Sequence, residues 1–178
     1  MLKNISWRRF GLLSIGGLIV GCVIIVALLA PWITPFSPFE INVPDRLQGP
    51  NAIHWFGTDE LGRDTFSRTI YAARISLNVA TVSVGIGLIG GILIGLTSAY
   101  FSGAWDMIFM RSMDLLYAFP AILLAIVIMA GLGTSMVNAM IAIGIIFIPG
   151  YARLARATAQ VVLRQQFIEA ALTVGMST

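Results

Sequence analysis

Three windows of the sequence, residues 10–39, 75–105 and 115–152, contain no Asp, Glu, Lys or Arg. They constrain the fold more than any motif does. A bilayer presents about 30 Å of hydrocarbon, so a helix rising about 1.5 Å per residue needs about 20 apolar residues to cross it. Only a helix or a closed barrel satisfies its own backbone hydrogen bonds there. Composition agrees at the point where it matters: 58% of residues are hydrophobic and 11% charged, against roughly 25% charged in a soluble domain. A water-soluble fold is excluded.

The first window predicts one helix over residues 11–30, stopped by Pro31 and then by Pro35 and Pro38. Its apolar stretch exceeds the about 7 to 15 residues of a signal-peptide core and no small-x-small cleavage site precedes Pro31, so it is read as a retained span. The second window predicts a helix over residues 77–100. The third is 38 residues long, twice a span, and Gly131, Gly133, Thr134 and Ser135 divide it into a hairpin with arms over residues 115–130 and 137–149. The expected fold is all-α: a polytopic membrane protein with four transmembrane helices and a cytoplasmic amphipathic helix. Its segments are an amino terminus (1–10), a first span (11–30), an outer loop (31–76), spans two to four (77–150) and a cytoplasmic tail (151–178). Lys3, Arg8 and Arg9 precede the first helix, and four crossings place Arg111, Arg153, Arg156 and Arg164 on the same side. The positive-inside rule then makes the amino terminus cytoplasmic.

What is missing excludes whole classes. Lys3 is the only lysine, so no GxxxxGK[ST] phosphate loop exists and the chain cannot itself hydrolyse ATP by that route. His54 is the only histidine and Cys22 the only cysteine; with no HExxH, CxxC or GxSxG, no catalytic, cofactor or metal set is read. Ten of the eleven basic residues are arginines scattered singly or in one pair, which argues against a nucleic-acid partner. Arg111 and Asp114, three apart, are expected to pair with each other at the membrane interface. Gly87, Gly91 and Gly95 share one helix face and predict a close helix contact. Pro120 predicts a kink early in the third helix.

Two polar segments remain. In the outer loop, Asp59, Glu60 and Asp64 alternate with Arg63 and Arg68, Ser67 follows, and Gly57 and Gly62 permit turns with positive φ. The acidic spacing does not match an EF-hand loop, and ion pairs with turn-forming hydrogen bonds are the expected use. In the tail, Arg153, Arg156, Gln160 and Arg164 recur at helical spacing, with Leu154, Val161, Ile168 and Leu172 on a different face. This predicts an amphipathic helix continuing out of the fourth span and ending in Glu169-Ala170-Ala171 and Gly175.

Glu169-Ala170-Ala171-x-x-x-Gly175, in a cytoplasmic segment just after a span, resembles the EAA motif of permease subunits of binding-protein-dependent ABC importers. Other motifs narrow the likeness: His54-x-Phe-Gly57-Thr58-Asp59-x-Leu61-Gly62-Arg63-Asp64 with Ser67-Arg68, Arg74-x-Ser76-Leu77, Met110-Arg111-x-x-Asp114, Ala118-Phe-Pro120 and Ala152-Arg153-Leu. Together they resemble the dipeptide, oligopeptide, glutathione and nickel permease group, from about Trp7 to the last residue. The resemblance implies a type I (MetI-like) permease fold in a bacterial inner membrane, with Glu169, Ala170, Ala171 and Gly175 docking an ATPase and the segment from Gly57 to Arg68 bracing the outer face or meeting a binding protein. It implies as partners a second permease subunit, two ABC ATPase subunits, a periplasmic or lipid-anchored solute-binding protein, a peptide-like solute and membrane lipid. Ala72 and Met176 depart from the family pattern. Such permeases continue past this motif into two more spans, whereas the sequence ends at Thr178, so the expectation is four spans and half a docking loop. The competing readings are a nonfunctional or assembly-only fragment of such a permease and an intramembrane hydrolase. The latter needs a histidine or paired aspartates within the helices, and the sequence has neither.

Overall fold

The computed structural model describes residues 7–175; Lys3 and Met176 lie outside the described residues. Among the described residues six α-helices follow one another: α1 (Trp7–Ile33), α2 (Thr65–Phe101), α3 (Gly103–Ala118), α4 (Ala121–Leu132), α5 (Met136–Leu163) and α6 (Gln166–Thr173). One 3-10 turn, Val43–Asp45, lies between α1 and α2. The described residues form no named strand, only an isolated antiparallel bridge between Thr58 and Asp64. They fall into two compact units, the first ending at Asn78 and the second beginning at Val79.

By length and composition α1, α2 and α5 can each cross a membrane. The pair α3 and α4 makes a fourth candidate if the two are one broken span, since they meet at a 96° bend. The fold is therefore all-α with three candidate spans, or four with the broken one. The bend lies at Phe119, whose backbone is extended, and Pro120, which starts α4. The proline does more than kink a continuous third helix. It lacks an N–H for the preceding turn and disfavours helical geometry in the residue before it, so the expected arm over 115–130 is two helices.

Pro31 behaves in the opposite way. It lies inside α1, which runs on to Ile33, and Thr34 donates both its N–H and its hydroxyl to the Ala30 carbonyl, at 3.2 and 3.0 Å. A proline in the last turn removes one hydrogen bond near a helix end, which the chain tolerates. The tail helix also differs from expectation. α5 runs unbroken through Tyr151 to Leu163, but Arg164 leaves helical geometry as its cap, and α6 begins separately at Gln166. The face drawn from Arg153 to Arg164, and the apolar one from Leu154 to Leu172, is thus interrupted.

In the second unit α5 packs against α2 along the glycine face. A Cβ on Gly87 would lie 2.6 Å from Cβ of Phe147, on Gly91 2.4 Å from Cβ of Tyr151, and on Gly95 2.4 Å from the Ala152 carbonyl oxygen. The contact works only with hydrogen at those positions. Ser83, buried in the same interface, donates to the Met140 carbonyl at 3.0 Å, so its hydroxyl is satisfied away from water. The turn between α4 and α5 is closed by Asn138, whose amide donates to the carbonyls of Leu132 and Gly133 at 2.8 and 2.9 Å, while the Ser135 hydroxyl caps α5.

Candidate functional site

Two segments carry the candidate residues. The first, between α1 and α2, is braced from within. Asp64 is the N-cap of α2: its Oδ2 accepts the N–H of Ser67 at 2.7 Å, satisfying a donor that the helix itself leaves free. Its Oδ1 accepts Nδ1–H of His54 at 3.0 Å, and both residues are buried. Burial opposes ionisation of Asp64, but the Ser67 donors and His54 outweigh it and hold the carboxyl below its ordinary range. The His54 ring stacks at a tilt on Phe36, 4.9 Å between centroids, and the fully buried Ser67 hydroxyl accepts the Phe36 N–H at 3.4 Å.

Asp59 organises the next turn. Its Oδ1 accepts the N–H groups of Leu61 and Arg63 at 2.9 and 3.0 Å, and its Oδ2 takes the Arg63 Nε at 2.8 Å and Nη1 of Arg68. Desolvation works against the charged form, yet the backbone donors of Arg63 and Leu61 and the Arg63 guanidinium bring the pKa down to about 2. The Thr58 hydroxyl accepts the Gln48 N–H at 2.9 Å and donates to the Asp45 carbonyl. The two glycines are required by geometry. Gly57 has φ +70° and Gly62 φ +75°, and a Cβ on Gly62 would lie 1.7 Å from the Asn42 carbonyl oxygen. That approach lets Asn42 donate its N–H to the Leu61 carbonyl at 3.2 Å.

The nine motif residues from Gly57 to Arg68 are thus gathered in one loop and the first turn of α2. The partners that sequence reasoning missed are Gln48, Asn42 and the backbone of Asp45, which sit ten or more residues away in an aperiodic stretch. A recess of about 330 Å³ beside the motif is lined by Glu40, Asn42, Asp45, Gln48, His54 and Asp64. No three His, Cys, Asp or Glu among the described residues converge as metal ligands.

The second segment is α6 and the turn after it. Glu169, Ala170 and Ala171 fall in this eight-residue helix, and Gly175 follows with φ +88° in open space. Ala170 is exposed, Ala171 half-buried, and Phe167 and Val174 are 62% and 85% exposed. The hydrogen bonds of its described residues are local: Ile168 N–H to the Gln165 carbonyl at 2.9 Å, and Thr173 hydroxyl and Val174 N–H to the Ala170 carbonyl at 2.7 and 3.2 Å.

Between these segments in sequence, Asp114 pairs with Arg153 at 2.9 Å and not with Arg111. The reason is reach: the facing helix offers a guanidinium that also lies over the Tyr117 ring, 4.5 Å from its centroid, adding a cation–π contact that Arg111 on the same helix does not supply. Asp106, which sequence reasoning passed over, binds Arg156 and the Ser98 hydroxyl. Its one signal is that it closes the charge-free window 75–105, where a lone carboxylate near lipid needs a partner.

Residues 91–178 match the family model for "Binding-protein-dependent transport system inner membrane component", and residues 5–50 match that for "N-terminal TM domain of oligopeptide transport permease C". The dipeptide transport system permease protein DppC of Alkalihalophilus pseudofirmus is 46% identical over 170 residues, covering 95% of this chain and 56% of that protein. The glutathione transport system permease proteins GsiD of Escherichia coli O6:K15:H31 and Shigella boydii serotype 4 are each 44% identical over 175 residues, covering 96% of this chain and 58% of theirs. The chain therefore spans somewhat more than half the length of these curated relatives.

Proposed function

Because the chain belongs to the family of binding-protein-dependent transport system inner membrane components, we propose that it forms membrane-spanning permease structure of an ATP-driven importer for peptides or a related small solute. On this reading it crosses the bacterial inner membrane four times, with α3 and α4 as one broken span and the amino terminus in the cytoplasm. A second permease completes the pathway, an outer binding protein delivers the solute, and paired ATPases supply the energy that a chain without a phosphate loop cannot.

The observation that carries the reading is the condition of α6. A short helix with Ala170 exposed and Ala171 half-buried follows a long apolar helix, held by local bonds, with a left-handed glycine behind it. An exposed small-residue face admits the walls of a groove on another protein, and the glycine lets the chain turn away from it. The outer segment has the opposite character, a fixed platform suited to receiving a binding protein.

Two experiments test this. Reporter fusions after Asn51 and Thr134 are expected outside and those after Ala104 and Gln165 inside; a Gln165 reporter found outside removes the docking assignment. In the permease assembled with its partners, Ala170→Trp is expected to abolish ATPase co-purification and uptake by steric exclusion. Glu169→Arg is expected to reduce both and to be partly restored by a reversed charge on the ATPase. If α6 only lies on the membrane surface, Ala170→Trp is tolerated, because tryptophan favours that interface.

A further inference from the structure

Two ion pairs, apart from the outer motif and from α6, join α3 to α5. Asp106, in the first turn of α3, accepts Nε and Nη2 of Arg156 through its two carboxylate oxygens, at 2.5 Å each. The Ser98 hydroxyl of α2, fully buried, donates to the same carboxylate. Farther along α3, Asp114 holds Arg153, whose guanidinium covers Tyr117. The pairs run in opposite order on the two helices, 106 with 156 and 114 with 153, so α3 and α5 are antiparallel.

The two pairs differ in weight. Arg153 and Asp114 are about half exposed, whereas the side chains of Arg156 and Asp106 are 30% and 20% exposed. An exposed pair is worth little; a bidentate fork that is largely shielded fixes orientation as well as distance, and removing one partner strands the other charge. The α2–α5 contact, by contrast, is a run of glycines that fixes closeness, with the Ser83 hydroxyl donating across it. The fork is therefore what sets the register of α3 on α5. Tyr117 and Asp114 bring that hold to within a few residues of the Phe119–Pro120 break, beyond which α4 leaves at 96°.

We propose that the Ser98–Asp106–Arg156 fork, seconded by Asp114–Arg153, is a coupling clamp: it makes α3 travel with α5, so that displacement of α6 reaches the break in the third span. This rests on the docking reading of α6. Asp106 and Arg156 are positioning residues that act through the helices they join.

The test uses the permease assembled with its partner permease, ATPases and binding protein in proteoliposomes, with uptake, ATP hydrolysis and ATPase co-purification measured together. Asp106→Asn is expected to keep ATPase binding and hydrolysis while solute moved per ATP falls about tenfold, the scale of a typical coupling free energy. Arg156→Lys keeps the charge without the fork and falls part of the way. The exchange Asp106→Arg with Arg156→Asp recovers uptake per ATP relative to Asp106→Asn. A purely structural role predicts less assembled complex with unchanged uptake per ATP; that result, failure of Asp106→Asn to accumulate at all, or an exchange no better than Asp106→Asn overturns the clamp. Ala170→Trp separates the two ideas. If it leaves co-purification and uptake intact, the docking reading fails and the clamp loses its purpose; if it abolishes co-purification while Asp106→Asn transports normally, the clamp alone is wrong.

Discussion

The segment from Gly57 to Arg68 and the segment from Gln166 to Gly175 are both dense in family motif residues, and they are built in opposite ways. In the first, Asp59 and Asp64 each collect several donors, two glycines sit where a Cβ would strike backbone, and buried hydroxyls are satisfied from neighbouring strands of loop. In the second, the bonds are local, Ala170, Phe167 and Val174 are exposed, and the glycine stands in open space. The same kind of residue thus has two uses. Polar motif residues that satisfy each other make a rigid part; an exposed Ala170 and a Gly175 in open space leave a surface for something else.

The sharpest way to break this contrast is to give both glycines a side chain. Gly62→Val places a Cβ against the Asn42 carbonyl at a left-handed φ, and is expected to cost more than about 4 kcal/mol, unfolding the outer segment. Limited proteolysis of that loop in detergent reads the loss directly. Gly175→Val, strained in φ but free of clashes, costs about 1–2 kcal/mol locally and leaves global thermal stability unchanged. Equal effects of the two would erase the distinction.

Next in size, Asp64→Ala removes the cap of α2 and the partner of His54 together, with an expected loss of about 2–4 kcal/mol in the unfolding of the outer segment. Acid should find the same carboxylates. Asp59 and Asp64 both have folded pKa values below the ordinary 3.8, so their contribution is fully present above that pH and is lost as pH falls below it, for Asp59 toward about 2. Protease resistance of the loop should therefore hold at pH 5 and fade in that window, less steeply in Asp59→Asn. The smallest effect is expected for Arg68→Gln: its side chain is 43% exposed and Arg63 still pairs with Asp59, so the loss should stay below about 1 kcal/mol.

The legible parts of the fold were those that physics writes periodically. Charge-free windows gave the apolar helices, and Gly87, Gly91 and Gly95 at intervals of four named the face on which α5 packs. Prolines were less legible, because the cost of a missing N–H depends on where in the helix it falls: Pro31 sits harmlessly in a last turn while Pro120 separates two helices. The outer motif was recognisable as a turn-rich ionic cluster, but its bonds to Gln48, Asn42 and Asp45 were not, since a loop has no period to betray its neighbours. The Asp106–Arg156 fork joins residues fifty apart on different helices, and pairing across helices is decided by packing. Asp114 likewise pairs across to Arg153 on the facing helix, a choice that the short spacing from Arg111 to Asp114 does not reveal.

Whether α6 presents an ATPase-docking surface is decided by photo-cross-linking in native membranes. A photoreactive residue placed at Ala170, in the permease assembled with its partners, should yield a covalent adduct with an ABC ATPase subunit; the same residue at exposed Leu61 should yield none. Adducts from Ala170 confined to lipid, or an ATPase adduct from Leu61, would contradict the account.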